Sequence, residues 1–246
     1  MPPSNAENEI IIREVVKDVW IFSRPFNLFN RLPVGGRSTA IKLKNGDVWL
    51  IASTPLTSST RSKLAELGVV RYIIAPNAFH NLFLKSYKDA YPEAKVIGPE
   101  ELNEKKRAEG WQLDEVFNTS VPDPKLGFED EIEHCFFVGY KNKDVAYHHK
   151  ASKTVVAADL LFNLPATEQY SQTQNKPSFP IINSWSANSW VMRMFVWLKE
   201  GDFASEMQWS ARKVGTWDFD RWIPCHGDVI ETNAKQVFKE AYRRYF

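Results

Sequence analysis

The sequence predicts an α/β (α+β) chain folded as an αββα sandwich, two mixed β-sheets packed face to face with helices outside. Three features predict it. The opening stretch reads as antiparallel sheet around an Asn-Gly turn, strands and helices then alternate, and the remainder holds a strand hairpin followed by helix, strand and helix. Sheets with one apolar face and helices with one apolar stripe bury all of these surfaces when the sheets meet and the helices cover them.

In the opening stretch, Ile10 to Val16 and Val19 to Phe22 are short β-branched or aromatic runs, and Thr39 to Leu43 and Val48 to Ala52 flank Asn45-Gly46. Asn-Gly signals a hairpin because both turn positions need positive φ. Ser58 to Leu67 is helical, with Ser/Thr candidates for the N-cap and Gly68 at the stop. A strand at Val70 to Ala75, a helix from Asn81 to Tyr91 ended by Pro92, a strand at Lys95 to Ile97 and a helix from Pro99 to Gly110 follow. Val145 to Tyr147 and Thr154 to Ala158 are strands around the turn at Lys150 to Lys153, and Asn163 to Pro180 is loop-like. Helices at Ser189 to Lys199 and Ala204 to Val214, a strand at Arg221 to Pro224 and an amphipathic helix from Ala234 to Arg244 complete the chain. Residues 1–8 are expected to be a flexible segment and 9–246 one domain, with no repeat or linker dividing it.

The chain has 246 residues, with 30 acidic and 31 basic, so no overall field draws it to nucleic acid or an anionic membrane surface. No apolar run approaches the roughly 18 residues of a membrane span, and the polar start lacks the pattern of a signal peptide. Cys135 and Cys225 cannot make a multi-bridge framework, which fits a reducing, cytoplasmic location. Trp185, Trp190, Trp197, Trp209 and Trp217 cluster in sequence. They either line a pocket or, the reading preferred here, pack into the core. Nothing in the sequence specifies an oligomeric state.

Three apolar strands stop at metal-capable residues. Val70 to Ala75 runs into Pro76-Asn77-Ala78-Phe79-His80, Thr154 to Ala158 into Asp159, and Arg221 to Pro224 into Cys225-His226-Gly227-Asp228. Strand ends in α/β sheets are where ligands bind, so the three are expected to converge.

The element order, Ala-Asp-Leu-Leu-Phe at Ala158 to Phe162 and Pro-Cys-His-Gly-Asp at Pro224 to Asp228 resemble the metallo-β-lactamase superfamily. The strand, Ala-Pro-Asn and His at Ile73 to His80 resemble an uncharacterised branch of it, a domain of unknown function. The superfamily pattern of His-x-His-x-Asp-His laid on this segment puts Ala75, Asn77 and Phe79 where ligands are expected, and Ala52 where a strand-ending Asp is expected. The resemblance therefore implies a reduced, mononuclear centre. His80, Asp159 and His226 remain as ligands, one divalent Zn or Fe is the cofactor, and Asn77 and Asp159 are the catalytic candidates.

Other motifs are set aside. His134 falls too early for the superfamily's middle histidine and reads as a surface or satisfied core residue. His149 sits at the turn of its hairpin, five residues at ~3.4 Å rise and so on the order of 17 Å from Asp159, far beyond a ~2 Å ligand bond. A structural histidine bonded to Ser152 is the preferred reading, and His148 is excluded with it. Cys225 points away from its neighbour His226 on extended backbone and is expected to pack. Gly35-Gly36-Arg37-Ser38 leads into a strand rather than a helix, so it is an ordinary loop and not an anion cradle. Asp228 either braces the His226 loop or is a turn residue.

Two His and one carboxylate suit a zinc-activated water or a non-haem Fe(II). The resemblance implies hydrolysis of an ester, lactone or thioester, a small-molecule substrate, with the Asn77 amide donating to the developing oxyanion. The alternatives are an iron oxidoreductase on the same fold, or an inactive binding module using the tryptophan region.

Overall fold

The computed structural model describes residues 10–173, 185–200 and 204–246. The expected flexible segment at 1–8 and much of the later half of the loop-like stretch lie outside the described residues. The chain begins with β1 (Ile11–Val16) and β2 (Val19–Arg24), then a short ribbon of β3 (Asn27–Leu28) and β4 (Leu32–Pro33). It continues through β5 (Gly36–Lys42), β6 (Asp47–Ile51), α1 (Ser58–Leu67), β7 (Val69–Ile74), α2 (Leu84–Ala90), β8 (Lys95–Pro99), α3 (Glu101–Ala108) and β9 (Glu115–Phe117). These seven longer strands form one sheet in the order β1-β2-β5-β6-β7-β8-β9. It is antiparallel up to β6 and parallel beyond, because α1 and α2 carry the chain back across the sheet.

The second sheet contains β10 (Ile132–Phe136), β11 (Val145–His149), β12 (Thr154–Ala157) and, after α4 (Trp190–Leu198) and α5 (Ala204–Thr216), β13 (Arg221–Pro224), in that order. The first two pairings are antiparallel and β12 with β13 is parallel, so both sheets are mixed. Helix α6 (Ala234–Ala241) follows, and a 3₁₀ turn at Arg243–Tyr245 ends it. Among the described residues no helix is long and apolar enough to cross a membrane.

The period-two patterning builds three core layers. On β6, Val48 and Leu50 pack with Leu64 and Ile73 beneath the helices, while Trp49 and Ile51 face the other sheet. On β12, Val155 and Ala157 pack with Trp222 and Phe238 on the far helical side, and Val156 faces inward. Trp49 meets Tyr147 edge-on across the sheet interface at 4.9 Å, a ring geometry worth about 0.5–1.5 kcal/mol beyond area burial. The resulting order is helices, sheet, sheet, helices, as the sequence predicts.

The Asn45-Gly46 turn joins β5 to β6, but only Gly46 takes positive φ, at 86°, and not Asn45, whose side chain bonds Asp47 instead. Thr57 caps α1 by accepting from the Thr60 amide at 3.1 Å, and the Gly68 amide closes the helix on Leu64. The structure corrects three further local expectations. The helix expected from Asn81 begins only at Leu84, because the Asn77 side-chain Oδ1 accepts from the amides of Phe79 and His80 and the Asn81 side chain bonds Ala78 and Phe79, holding a loop in place of a first turn. Pro99 ends β8 instead of starting α3. Strand β10, with Glu133 and His134 breaking its apolar run, is unannounced by periodicity.

Candidate metal centre

The three strand ends converge. His80 follows β7 on a loop pinned to the second sheet, where the Ala78 amide donates to the Asn142 carbonyl and the Val145 amide to that of Pro76. Asp159 stands just past β12, and its backbone carbonyl accepts from the buried Tyr140 hydroxyl at 2.8 Å. His226 stands just past β13. One Asp159 oxygen, Oδ1, lies 3.3 Å from His80 Nε2 and 3.4 Å from His226 Nε2. Among the described residues these three form a group whose candidate ligand atoms lie within 4.8 Å of one another.

Each group is oriented by a partner on its far side. Asp159 Oδ2 accepts from Asn77 Nδ2 at 2.8 Å and Asn142 Nδ2 at 2.7 Å, which leaves Oδ1 facing the imidazoles. His226 Nδ1 donates to the Gly35 carbonyl at 2.6 Å, so a neutral ring turns an unprotonated Nε2 toward Asp159. His80 Nδ1 lies 3.3 Å from Ser53 Oγ. Such outer partners fix tautomer and ring direction at metal sites. Ligands of a four-coordinate ion with ~2.0–2.1 Å bonds stand ~3.3–3.4 Å from their neighbours, and the two His-to-Asp separations match. The donor set therefore fits a single divalent ion.

The ionisation states follow from the packing. Burial disfavours charge on Asp159, but His80, His226 and the Asn142 amide outweigh it and hold the carboxyl well below the usual range. Burial also opposes a charge on His80, yet Asp159 and Cys225 prevail and raise its pKa well above 6.5. Burial pushes His226 down to about 4. Asp144, which accepts from Asn77 Nδ2 at 2.8 Å, is raised by burial and by the charge of Asp159, so the negative charge of this carboxyl pair sits on Asp159. Above about pH 4 His226 is neutral, and metal uptake must expel one proton, that of His80. Metal affinity is thus expected to rise by about tenfold per pH unit from about pH 4 up to the raised pKa of His80. Zinc titrations with a competing chelator at three pH values check it, and a flat profile would show that His80 is not a ligand.

Asn77 departs from its expected role. Both hydrogens of its buried Nδ2 are taken, one by Asp144 and one by Asp159, so none remains for an oxyanion. It orients Asp159 instead. Ala75, where the resemblance places a ligand, and Ala52, where it places a strand-ending Asp, are buried among apolar side chains under the helices, and Phe79 is turned out onto a cavity wall. Three positions where the resemblance expects further ligands, Ala75, Asn77 and Phe79, thus carry apolar or amide side chains.

The remaining histidines lie elsewhere. His134 is buried beside Phe117, with Nε2 2.9 Å from Asp123, an ion-pair distance without hydrogen-bond alignment at either ring nitrogen. His148 sits between Glu133 and the Asp218 carbonyl at 2.7 and 3.1 Å, and His149 bonds Ser152 at 2.8 Å. The register His149↔Thr154 puts both at the end of the hairpin away from Asp159, as the spacing predicts.

Two elements have a positioning role that the sequence does not announce. Arg37, fully buried on β5, donates from Nη1 to the carbonyls of Pro224 and Gly227 at 2.7 Å each and from Nε to Ser23 at 3.0 Å, clamping the His226 loop. Gly227, at φ 88°, approaches Asn163 so closely that a Cβ would stand 2.2 Å from its carbonyl oxygen. Asp228 braces the same loop by accepting from the Glu168 amide at 2.8 Å. Cys225 is buried between the sheets, its Sγ 3.7 Å from Ser53 Oγ and close enough to His80 to interact with it. It packs, as expected, although against the centre's other histidine.

The centre opens into a cavity of about 810 Å³. Its walls come from the β3–β4 ribbon and the residues beside it (Phe26, Leu28, Phe29), from the segment before α2 (Phe79, Leu82), and from Phe162, Trp185 and Phe195. Of the clustered tryptophans only Trp185 lines it. Trp217 is in the core, while Trp190 and Trp209 are exposed and Trp197 sits at the surface, so the core reading holds for one of the five.

Solved structures with this architecture are metallo-β-lactamases. TMB-1 superposes with a TM-score of 0.62 at 13% identity, covering 96% of this chain and 98% of its own. The enzyme from Hirschia baltica gives 0.61 at 10%, covering 96% and 98%. FIM-1 from Pseudomonas aeruginosa, described in a mono-zinc form, gives 0.61 at 10%, covering 96% and 95%. At these identities the likeness shows the fold alone. A comparison with curated protein sequences gives no match. A family model for a domain of unknown function, DUF4336, matches residues 16–188. With that model matched over most of its length, and with the metallo-β-lactamase fold, the chain belongs to the DUF4336 family.

Proposed function

We propose that the chain is a metal-dependent hydrolase with one zinc ion held by His80, Asp159 and His226, acting on an ester, lactone or thioester of a small molecule. The observation that carries this reading is the convergence of two imidazole Nε2 atoms on one carboxylate oxygen at the foot of a largely apolar cavity. A bound ion supplies Lewis acidity toward a carbonyl and a water of lowered pKa.

The protein's own contribution is positional. Asn77 and Asn142 hold Asp159 by one oxygen, so the other keeps its direction as substrate enters. The aromatic walls exclude bulk water and press the apolar part of a substrate toward the centre. Assaying the purified chain against a p-nitrophenyl ester, a thioester and a lactone tests the reading. Turnover of at least one bond class, dependent on one equivalent of zinc and lost in a folded His226→Ala variant, is expected. A folded, one-zinc protein with no turnover on any class would overturn the hydrolase reading.

A further inference from the structure

The ionisable inventory of the cavity is one-sided. Among the described residues, the titratable side chains on its lining beyond the centre itself are Arg24 and Lys199, both cationic, and Asp159, already engaged by two amides and two imidazoles, is the carboxylate. The rest of the wall is dominated by aliphatic and aromatic side chains. Phe29, Leu82 and Phe79 at the mouth are 81%, 79% and 67% exposed, so the rim of the cavity is itself apolar. The volume, about 810 Å³, lies in the upper part of the ~300–1,000 Å³ range of small-molecule sites.

Lys199 follows α4 and reaches back over the cavity. Its Nζ lies 5.4 Å from the Phe195 ring centre and donates to Asn142 Oδ1 at 2.9 Å. Asn142 in turn donates to Asp159 at 2.7 Å. Among the described residues the ammonium is therefore two hydrogen bonds from the centre and is bonded there to a neutral amide, which leaves its charge to attract a ligand anion.

From this geometry we infer that the ligand is an anionic acyl amphiphile, a chain of several methylenes filling the aromatic cavity, with a carboxylate or similar anion on Lys199 a few atoms from the group at the centre. For the bond cleaved, this rests on the hydrolase reading. For the ligand bound, it rests on the cavity alone. Each methylene that finds the apolar wall is worth up to about fourfold in affinity, so chain length and head charge are separate signals.

Non-hydrolysable thioethers separate this inference from catalysis. S-decyl-3-mercaptopropionate (anionic), S-decyl-mercaptoethanol (neutral), S-decyl-cysteamine (cationic) and S-butyl-3-mercaptopropionate (short) are titrated into the purified full chain by calorimetry. The decyl anion is expected to bind about tenfold or more tighter than the decyl cation, and about 100-fold or more tighter than the butyl anion. Lys199→Glu should erase or reverse the charge preference and keep the chain-length preference, and Lys199→Gln should fall between, with circular dichroism confirming that both are folded. Equal binding of the three decyl heads, or no gain from butyl to decyl, would overturn the inference. A charge preference unchanged in Lys199→Glu would overturn the role of Lys199. If the binding pattern holds while no ester, lactone or thioester is hydrolysed, the hydrolase reading fails and the ligand class stands.

Discussion

Asp159→Asn is expected to lower zinc affinity by at least about 100-fold while leaving the fold intact. The substitution conserves shape, and Asn77 and Asn142 both donate into the Oδ2 position. Only an oxygen can satisfy them, so the new amide must turn its oxygen there and its NH₂ toward His80 and His226. An amide NH₂ has no lone pair for a metal, and two imidazoles alone remain. Chelator competition on the wild type and variant, with thermal unfolding in parallel, checks it. Equal affinities would show that Asp159 is not a ligand.

Arg37→Met is expected to destabilise the protein by about 3–5 kcal/mol, the usual consequence of removing one member of a buried charged network. The guanidinium is fully buried and holds the carbonyls on either side of His226, and its link to Glu168 is a longer contact at 3.5 Å. Methionine fills the volume and leaves both carbonyls without donors. For a chain of this length the melting temperature should fall by roughly 6–20 °C, and zinc affinity should fall about 10–100-fold as the His226 loop loosens. Lys at this position, with one ammonium in place of a fork, should recover only part of the loss. An unchanged melting temperature in the methionine variant would mean that the clamp contributes little.

Much of this centre was legible because the chemistry sits where patterns change. The apolar runs before His80, Asp159 and His226 end abruptly, and the hairpin register alone sends His149 to the wrong end of β11 to join them. The outer contacts were not legible. Asn77 reads as a free donor until Asp144, distant in sequence, is seen to share its amide with Asp159. Gly35 reads as loop, yet its carbonyl fixes the His226 tautomer, a backbone function that carries no side-chain signature. Arg37 and Asn142 are ordinary residue types whose roles depend on partners in other elements. The late start of α2 has the same origin, since side-chain bonds from Asn77 and Asn81 compete with helix only once the loop is seated on the second sheet.

Zinc K-edge X-ray absorption on the stoichiometrically loaded chain tests the central claim most directly. The proposed function predicts one zinc per chain, two imidazole nitrogens and oxygen completing the shell at ~2.0–2.1 Å, with no sulfur and no second metal in range. A zinc–sulfur shell at ~2.3 Å from Cys225, a metal–metal vector, or failure to bind zinc in excess would contradict it.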